Sequence, residues 1–545
     1  MRKLLFLSLT LVVLLSLPLL VAVAGPGYVP PPNTGKVEVM EYINGLNVGD
    51  PYRWLEEQTP QSSGWIDVQN DYTHSFLDSL QTRDQIKHRL TQLMKIERVT
   101  MPFERNGRYF FSKRSPDQAQ FVIYMRKGIN GSDEVLIDPN KMSTDKTLSV
   151  QIEDVSKDGT IMAYGIRDGG QDEVKVRLLN VDTKKDLPDT LGKGLYFSLS
   201  IPPDKSGFYY SHYVPEGSRI YYHKMGTDVA DDVKIFGDGY GPDKGIGAGV
   251  SDDGHYLIIG VSYGSAGQRT DIFYQDLANK GPILPIVNDV EARFDTQLAG
   301  DTLFIQTDWE APRGRILMAD MRNLKRENWK EIIPEGSAVI DGMSLAGGDL
   351  FVNYLDNVVS KVKVFRPDGK LVREISFPTL GSVSGVSGRW DNNEAFYVFT
   401  SFHVPTTIYR YDVKKGKSEV WSKLDVPVDT DIFEVKQVWY TSSDSTRVPM
   451  FLVYKKGIKL DGNNPTFLTG YGGFNMSMTP YYSSVAVLWV ENGGVFALPN
   501  LRGGGEFGEE WHRAGMLESK QNVFNDFIAA AEWLIANKYT NPAKL

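Results

Sequence analysis

Apolar residues in the first hundred positions recur every three or four residues. From about Tyr52 to Glu97 they include Trp54, Leu55, Trp65, Ile66, Val68, Phe76, Leu80, Ile86, Leu90 and Leu93, a step that places them on one side of helices. From about Pro102 to about Val435 the step is two instead. Short runs such as Arg108-Tyr109-Phe110-Phe111-Ser112 and Phe121-Val122-Ile123-Tyr124 alternate with Asp, Gly, Asn and Pro turns, the pattern of β-strands. One unit recurs within this stretch: an Asp/Gly turn, an apolar run, a polar loop and a second apolar run. It is plainest at Lys157-Asp158-Gly159, at Asp204-Lys205-Ser206-Gly207 and at Asp252-Asp253-Gly254. Looser copies begin near Asn106, Ala299, Gly347 and Asn392. Seven copies spaced at about 40–50 residues predict the four-stranded blades of a β-propeller.

After Val435 the pattern changes again. Val438-Trp439-Tyr440 and Met450-Phe451-Leu452-Val453-Tyr454 predict a hairpin around Ser442–Ser445, and Thr466–Leu468 and Val495–Leu498 predict two short apolar strands bounded by glycine. Val523, Phe524, Phe527, Ile528, Ala531, Leu534 and Ile535 fit one face of a helix closed by Asn541-Pro542. Strand, glycine loop, strand and helix form the opening of an α/β sheet.

Composition narrows the function classes. The chain has 545 residues, no cysteine and a net charge of −9. Disulfides, thiol catalysis and cysteine metal sites are therefore excluded. An acidic chain without a basic face is a poor partner for nucleic acid. Arg2 and Lys3 precede a largely apolar stretch, Leu4 to Leu20, and Ala22-Val23-Ala24 follows. This predicts a signal peptide over 1–24, cleaved after Ala24, hence a secreted or periplasmic protein without stable membrane association.

Several motifs carry less than they suggest. Gly470-Tyr471-Gly472-Gly473-Phe474 and Arg502-Gly503-Gly504-Gly505-Glu506-Phe507-Gly508 match neither a P-loop nor a dinucleotide fingerprint. Gly260-Val261-Ser262-Tyr263-Gly264 has the spacing of a nucleophile elbow, but it falls between two β-runs where an elbow needs a following helix. The seven histidines show no metal-ligand spacing, and His512 reads as a loop-packing residue. No metal or cofactor is expected.

The segments Gly470–Asn475 and Asn500-Leu501-Arg502-Gly503-Gly504-Gly505-Glu506-Phe507-Gly508-Glu509-Glu510-Trp511-His512 resemble the catalytic domain of the prolyl oligopeptidase (prolyl endopeptidase) family of serine peptidases. Asp50-Pro51-Tyr52-Arg53-Trp54-Leu55-Glu56 resembles the family's N-terminal signature, and Asn522–Leu545 the helix before its nucleophile strand. The resemblance implies a seven-bladed β-propeller inserted into an α/β-hydrolase domain that is incomplete at the C-terminus. Its parts are a helical segment at 25–97, the propeller at 98–437 and the first part of the catalytic domain at 438–545. It further implies hydrolysis of short peptides after proline, through an acyl-enzyme and a Ser-His-Asp triad, by a monomer whose propeller excludes folded proteins. Tyr471 matches the tyrosine of the oxyanion hole, and Phe474 an aromatic wall of the proline pocket. The family's Gly-Gly-Ser-x-Gly-Gly elbow, its Asp and its His are expected beyond Leu545, so the chain is expected to be a truncated, inactive fragment. Two other readings remain open: a related oligopeptidase preferring basic residues, and a non-catalytic secreted propeller that binds peptides or partners.

Overall fold

The computed structural model describes residues 29–265 and 267–545; the expected signal peptide lies outside them. The chain forms two compact units, divided between His88 and Arg89. The first holds a hairpin, Met40–Ile43 with Leu46–Gly49, and the helix Pro60–Leu77. The hairpin was not anticipated, although Asn44-Gly45 is a strong turn signal and both residues adopt positive φ. Thr59 starts the helix with a reciprocal cap: its side chain accepts from the Ser62 N–H while the Ser62 hydroxyl accepts from the Thr59 N–H. Arg53 of the N-terminal signature bonds Glu41 at 2.7 Å and Asp50 at 2.9 Å.

The second unit carries seven consecutive antiparallel sheets, six of four strands and a first of five. They are the propeller blades. Each recurring Asp/Gly turn joins the first and second strands of its blade, as at Ser149–Val155 into Ile161–Arg167 and Lys244–Val250 into Tyr256–Tyr263. The turn closes on itself. The Asp158 carboxylate accepts from the Ser156 hydroxyl at 2.7 Å and the Thr160 N–H at 3.1 Å, and Asp253 does the same for Ser251 and His255. Gly159 and Gly254 supply the positive φ. Middle strands such as Asp349–Asp356 are buried on both faces between neighbouring blades, whereas the outer strand Lys417–Lys423 is mostly exposed. The ring closes through side chains of the first and last blades: the Tyr109 hydroxyl donates to Glu394 at 2.6 Å and the Asn392 amide to Glu104 at 2.7 Å.

Connections between second and third strands emerge on the opposite face, where the hydrolase part sits. Val358 and Phe402, from the last two blades, are buried there among Phe433, Phe451, Val487 and Phe496. The hydrolase sheet runs Phe433–Thr441, Arg447–Lys455, Val495–Pro499, Thr466–Leu468; only its last pair is parallel. The hairpin, both short strands and the helix Gln521–Ala536 therefore stand where the sequence pattern places them. The helix face does not. Val523, Asp526, Ala530 and Leu534 are buried, whereas Phe524 and Ile528 are each 54% exposed. The helix is turned so that Asp526 faces inward to meet Arg502, a constraint that hydrophobic periodicity cannot show.

Candidate active site on the glycine loops

Two glycine-rich loops leave adjacent strand ends and lie against each other. The first follows Thr466–Leu468 and carries Tyr471 and Phe474; the second follows Val495–Pro499 and runs through Arg502 to Gly508. Their backbones approach so closely that side chains are excluded. A Cβ on Gly472 would stand 2.5 Å from Val523 Cγ1 and 2.8 Å from Leu501 Cβ, and one on Gly503 would stand 2.7 Å from the Gly472 oxygen. The Asn475 N–H donates to the Gly503 carbonyl at 3.1 Å, and the Lys520 ammonium to the Gly472 carbonyl at 2.7 Å.

Phe474 and Asn475 both adopt the left-handed conformation, with φ of 51° and 57°. Each such residue costs about 1–2 kcal/mol. The strain holds the Phe474 ring out of the core: it is 58% exposed, and its centroid lies 6.5 Å from that of Tyr471, itself 48% exposed. Among the described residues the Tyr471 hydroxyl takes no hydrogen-bond partner. An aromatic face and a free phenol thus stand side by side. The first is suited to an apolar ring, the second to a developing oxyanion.

The base of the second loop is fixed by Arg502. Its guanidinium donates to the fully buried Asp526 at 2.9 and 2.6 Å and also bonds Asp444, Thr446 and Ser442. Burial alone would lower the Arg502 pKa, but the two carboxylates outweigh it and raise it. The hydrogen bond from Arg502 holds the Asp444 carboxyl down at about 2. His512 is 2% exposed and bonds Glu509 at 3.1 Å, so it packs beneath the loop as expected. Burial would raise the Glu509 pKa, yet the bonds from His512 and Arg513 and the charge of Arg293 lower it.

The Glu509 N–H donates to the Pro312 carbonyl of a propeller loop at 2.9 Å. A cavity of about 270 Å³ opens beside this contact, lined by Asn475, Ser477 and Gly505 on one side and Asp295, Asp308 and Asp341 on the other. It shares Thr270, Phe294 and Asp295 with a larger cavity of about 630 Å³ walled by inner strands of the propeller. The loops therefore look into the propeller channel. Ser262 lies within the strand Tyr256–Tyr263, paired with Gly245 and Thr270, and so forms no elbow. Among the described residues no cluster of acidic side chains and histidines is arranged to hold a metal ion, and no helix is long and apolar enough to cross a membrane.

Residues 31–424 match the prolyl oligopeptidase N-terminal β-propeller domain, and residues 480–545 match the prolyl oligopeptidase family. The chain belongs to the prolyl oligopeptidase family. It is 40% identical to a prolyl endopeptidase of Elizabethkingia meningoseptica over 522 residues, which cover 94% of this chain and 74% of that protein. It is 32% identical to prolyl oligopeptidase A of Galerina marginata, over 92% of this chain and 74% of that one. A prolyl endopeptidase of known structure superposes with a TM-score of 0.91 at 37% identity, over 94% of this chain and 77% of that chain. Prolyl oligopeptidase B of Galerina marginata, bound to a 25mer macrocyclization substrate, does so with a TM-score of 0.86 at 27% identity, over 94% of this chain and 77% of its own. The propeller and the hydrolase strands are thus those of a family of serine peptidases. Sequence reasoning singled out Tyr471 and Phe474 but missed Arg502, Asp526 and Glu506 as the groups that hold their loops. Arg502 and Glu506 stand in the Asn500–His512 motif, yet Asp526 and Asp444, which hold Arg502, and Met478, which bonds Glu506, lie 24, 58 and 28 residues away.

Proposed function

We propose that the chain is the propeller and oxyanion-side portion of a proline-specific serine endopeptidase that receives short peptides at the two glycine loops. The supporting observation is the strained, exposed Phe474 ring beside the unpartnered Tyr471 hydroxyl, on the loop whose next residue, Asn475, lines the cavity that joins the propeller channel. Proline presents an apolar ring and, within a chain, no N–H, so it is read by a flat apolar surface. The Tyr471 hydroxyl is the donor for the oxygen that becomes negative when a carbonyl is attacked, and such a donor contributes about 10²–10³ in rate. Acyl transfer also needs a serine activated by a histidine. Ser262, inside a blade strand, and His512, buried against Glu509, do not form that pair. The expected occupants are short peptides, because the loops adjoin a channel walled by the inner strands of the propeller. The Leu4–Leu20 stretch and Ala22-Val23-Ala24 support export, and we assign a secreted or periplasmic monomer. Calorimetric titration with N-blocked glycyl-proline tests the site: binding should weaken in Phe474→Ala. Binding that ignores this substitution, or that favours an arginine peptide, would refute the reading.

A further inference from the structure

Glu506 has no part in the chemistry above, yet it is the most fully enclosed carboxyl of the second loop, at 1% exposure. One of its oxygens accepts from the Met478 N–H at 2.9 Å and, at 3.4 Å, from the Asn500 amide. The other, Oε2, is buried and takes no partner, and the same is true of Asn500 Oδ1 and Asn475 Oδ1. A Cβ on Gly504 would lie 2.1 Å from Glu506 Oε2 and 2.8 Å from the Met476 carbonyl oxygen, so those two oxygens share one small space. It is a pocket of acceptors, and it closes over the segment that follows Phe474.

The charged groups on the surrounding elements are engaged elsewhere. Arg502 is bound to Asp526 and Asp444, Lys520 to the Gly472 carbonyl, and Glu509 to His512, Arg513 and Arg293. Among the described residues no cation pairs with Glu506. A carboxylate there would be an uncompensated charge against carbonyl oxygens, whereas a carboxylic acid brings the donor that the pocket lacks.

We propose that Glu506 is a positioning residue, held as the neutral acid, whose ionisation loosens the Asn475–Met478 segment and displaces the peptide-binding face of Phe474 and Tyr471. Burial pushes its carboxyl up to about 7, against the opposing bonds from Met478 and Asn500. The effect on peptides rests on the proline-site reading above; the protonation of Glu506 does not.

The test titrates N-blocked glycyl-proline into the full chain and into Glu506→Gln, from about pH 6 to about pH 8. If only the neutral form binds, wild-type affinity falls about tenfold over that range while that of Glu506→Gln stays level. Parallel profiles for the two proteins overturn the proposal. If neither protein binds the peptide at any pH, the proline site fails and this role fails with it. Infrared titration checks the protonation without a ligand, and because burial also pushes the Asp154 carboxyl up to about 6 the band is assigned by comparison with Glu506→Gln. A buried carboxylic C=O band that disappears as pH rises through about 7 in the wild type and is missing from Glu506→Gln supports the proposal, and identical spectra of the two proteins overturn it.

Discussion

Replacing Arg502 by methionine removes the guanidinium from Asp526, which is 0% exposed, while leaving the carboxylate in place. The charge keeps only the backbone N–H of position 502, at 3.1 Å. Stripping one partner from a buried pair costs about 3–5 kcal/mol, because the other charge is left uncompensated. With a urea slope of about 2 kcal/mol per molar, the unfolding midpoint of the hydrolase part should fall by about 2 M. Tryptophan fluorescence follows that part through Trp439, Trp489, Trp511 and Trp533 and the propeller through Trp309, Trp329, Trp390 and Trp421, while circular dichroism is dominated by the propeller strands, so the hydrolase shift is read from the fluorescence change that circular dichroism does not share. The double change Arg502→Met, Asp526→Leu removes both charges and should recover most of the loss. A single-variant shift below about 0.5 M, or a double variant no better than the single, would refute the electrostatic account of how the second loop is held.

Other consequences can be checked on the same protein. His223 is fully buried, with Asp232 at 2.7 Å and Asp189 at 3.1 Å on its two ring nitrogens, so His223→Leu should destabilise the propeller by about 3 kcal/mol in thermal unfolding by circular dichroism. Gly472→Ala places a methyl group 2.5 Å from Val523 Cγ1 at a φ of 64°; it should cost about 2–4 kcal/mol in urea unfolding and weaken peptide binding. Glu506 has its folded pKa raised from 4.5 to about 7. Its contribution to stability is therefore fully present below about pH 4.5 and lost as pH rises through about 7, so Glu506→Gln should gain on the wild type in urea midpoint over that window.

The propeller was legible because its blades repeat a local device. An aspartate that accepts from the residues around it, with positive φ at Gly159, Lys205 or Gly254, marks the turn between the first and second strands of each full copy, and local chemistry survives in sequence. The hydrolase strands were legible for a similar reason, two as short apolar runs bounded by glycine and two as the arms of a hairpin around Ser442–Ser445. The Met40–Gly49 hairpin escaped notice because its strands are short and exposed, which leaves the Asn44-Gly45 turn as the signal. The orientation of the last helix was misread because Asp526 breaks the apolar face it occupies. That burial makes sense only with Arg502 beside it, 24 residues away in sequence. Tyr471 and Phe474 were found by resemblance, whereas the left-handed conformation of Phe474 and Asn475 appears only in the backbone. The orphan oxygens around Glu506 exist only where the two loops meet.

The most direct measurement compares N-blocked glycyl-proline with N-blocked glycyl-alanine by calorimetry on the purified chain, with and without Phe474→Ala. The pyrrolidine ring offers about two more buried carbons than the alanine methyl, so proline should bind about tenfold tighter, and Phe474→Ala should erase the difference. Equal affinities for the two peptides, or a proline preference that survives loss of the Phe474 ring, would contradict the account.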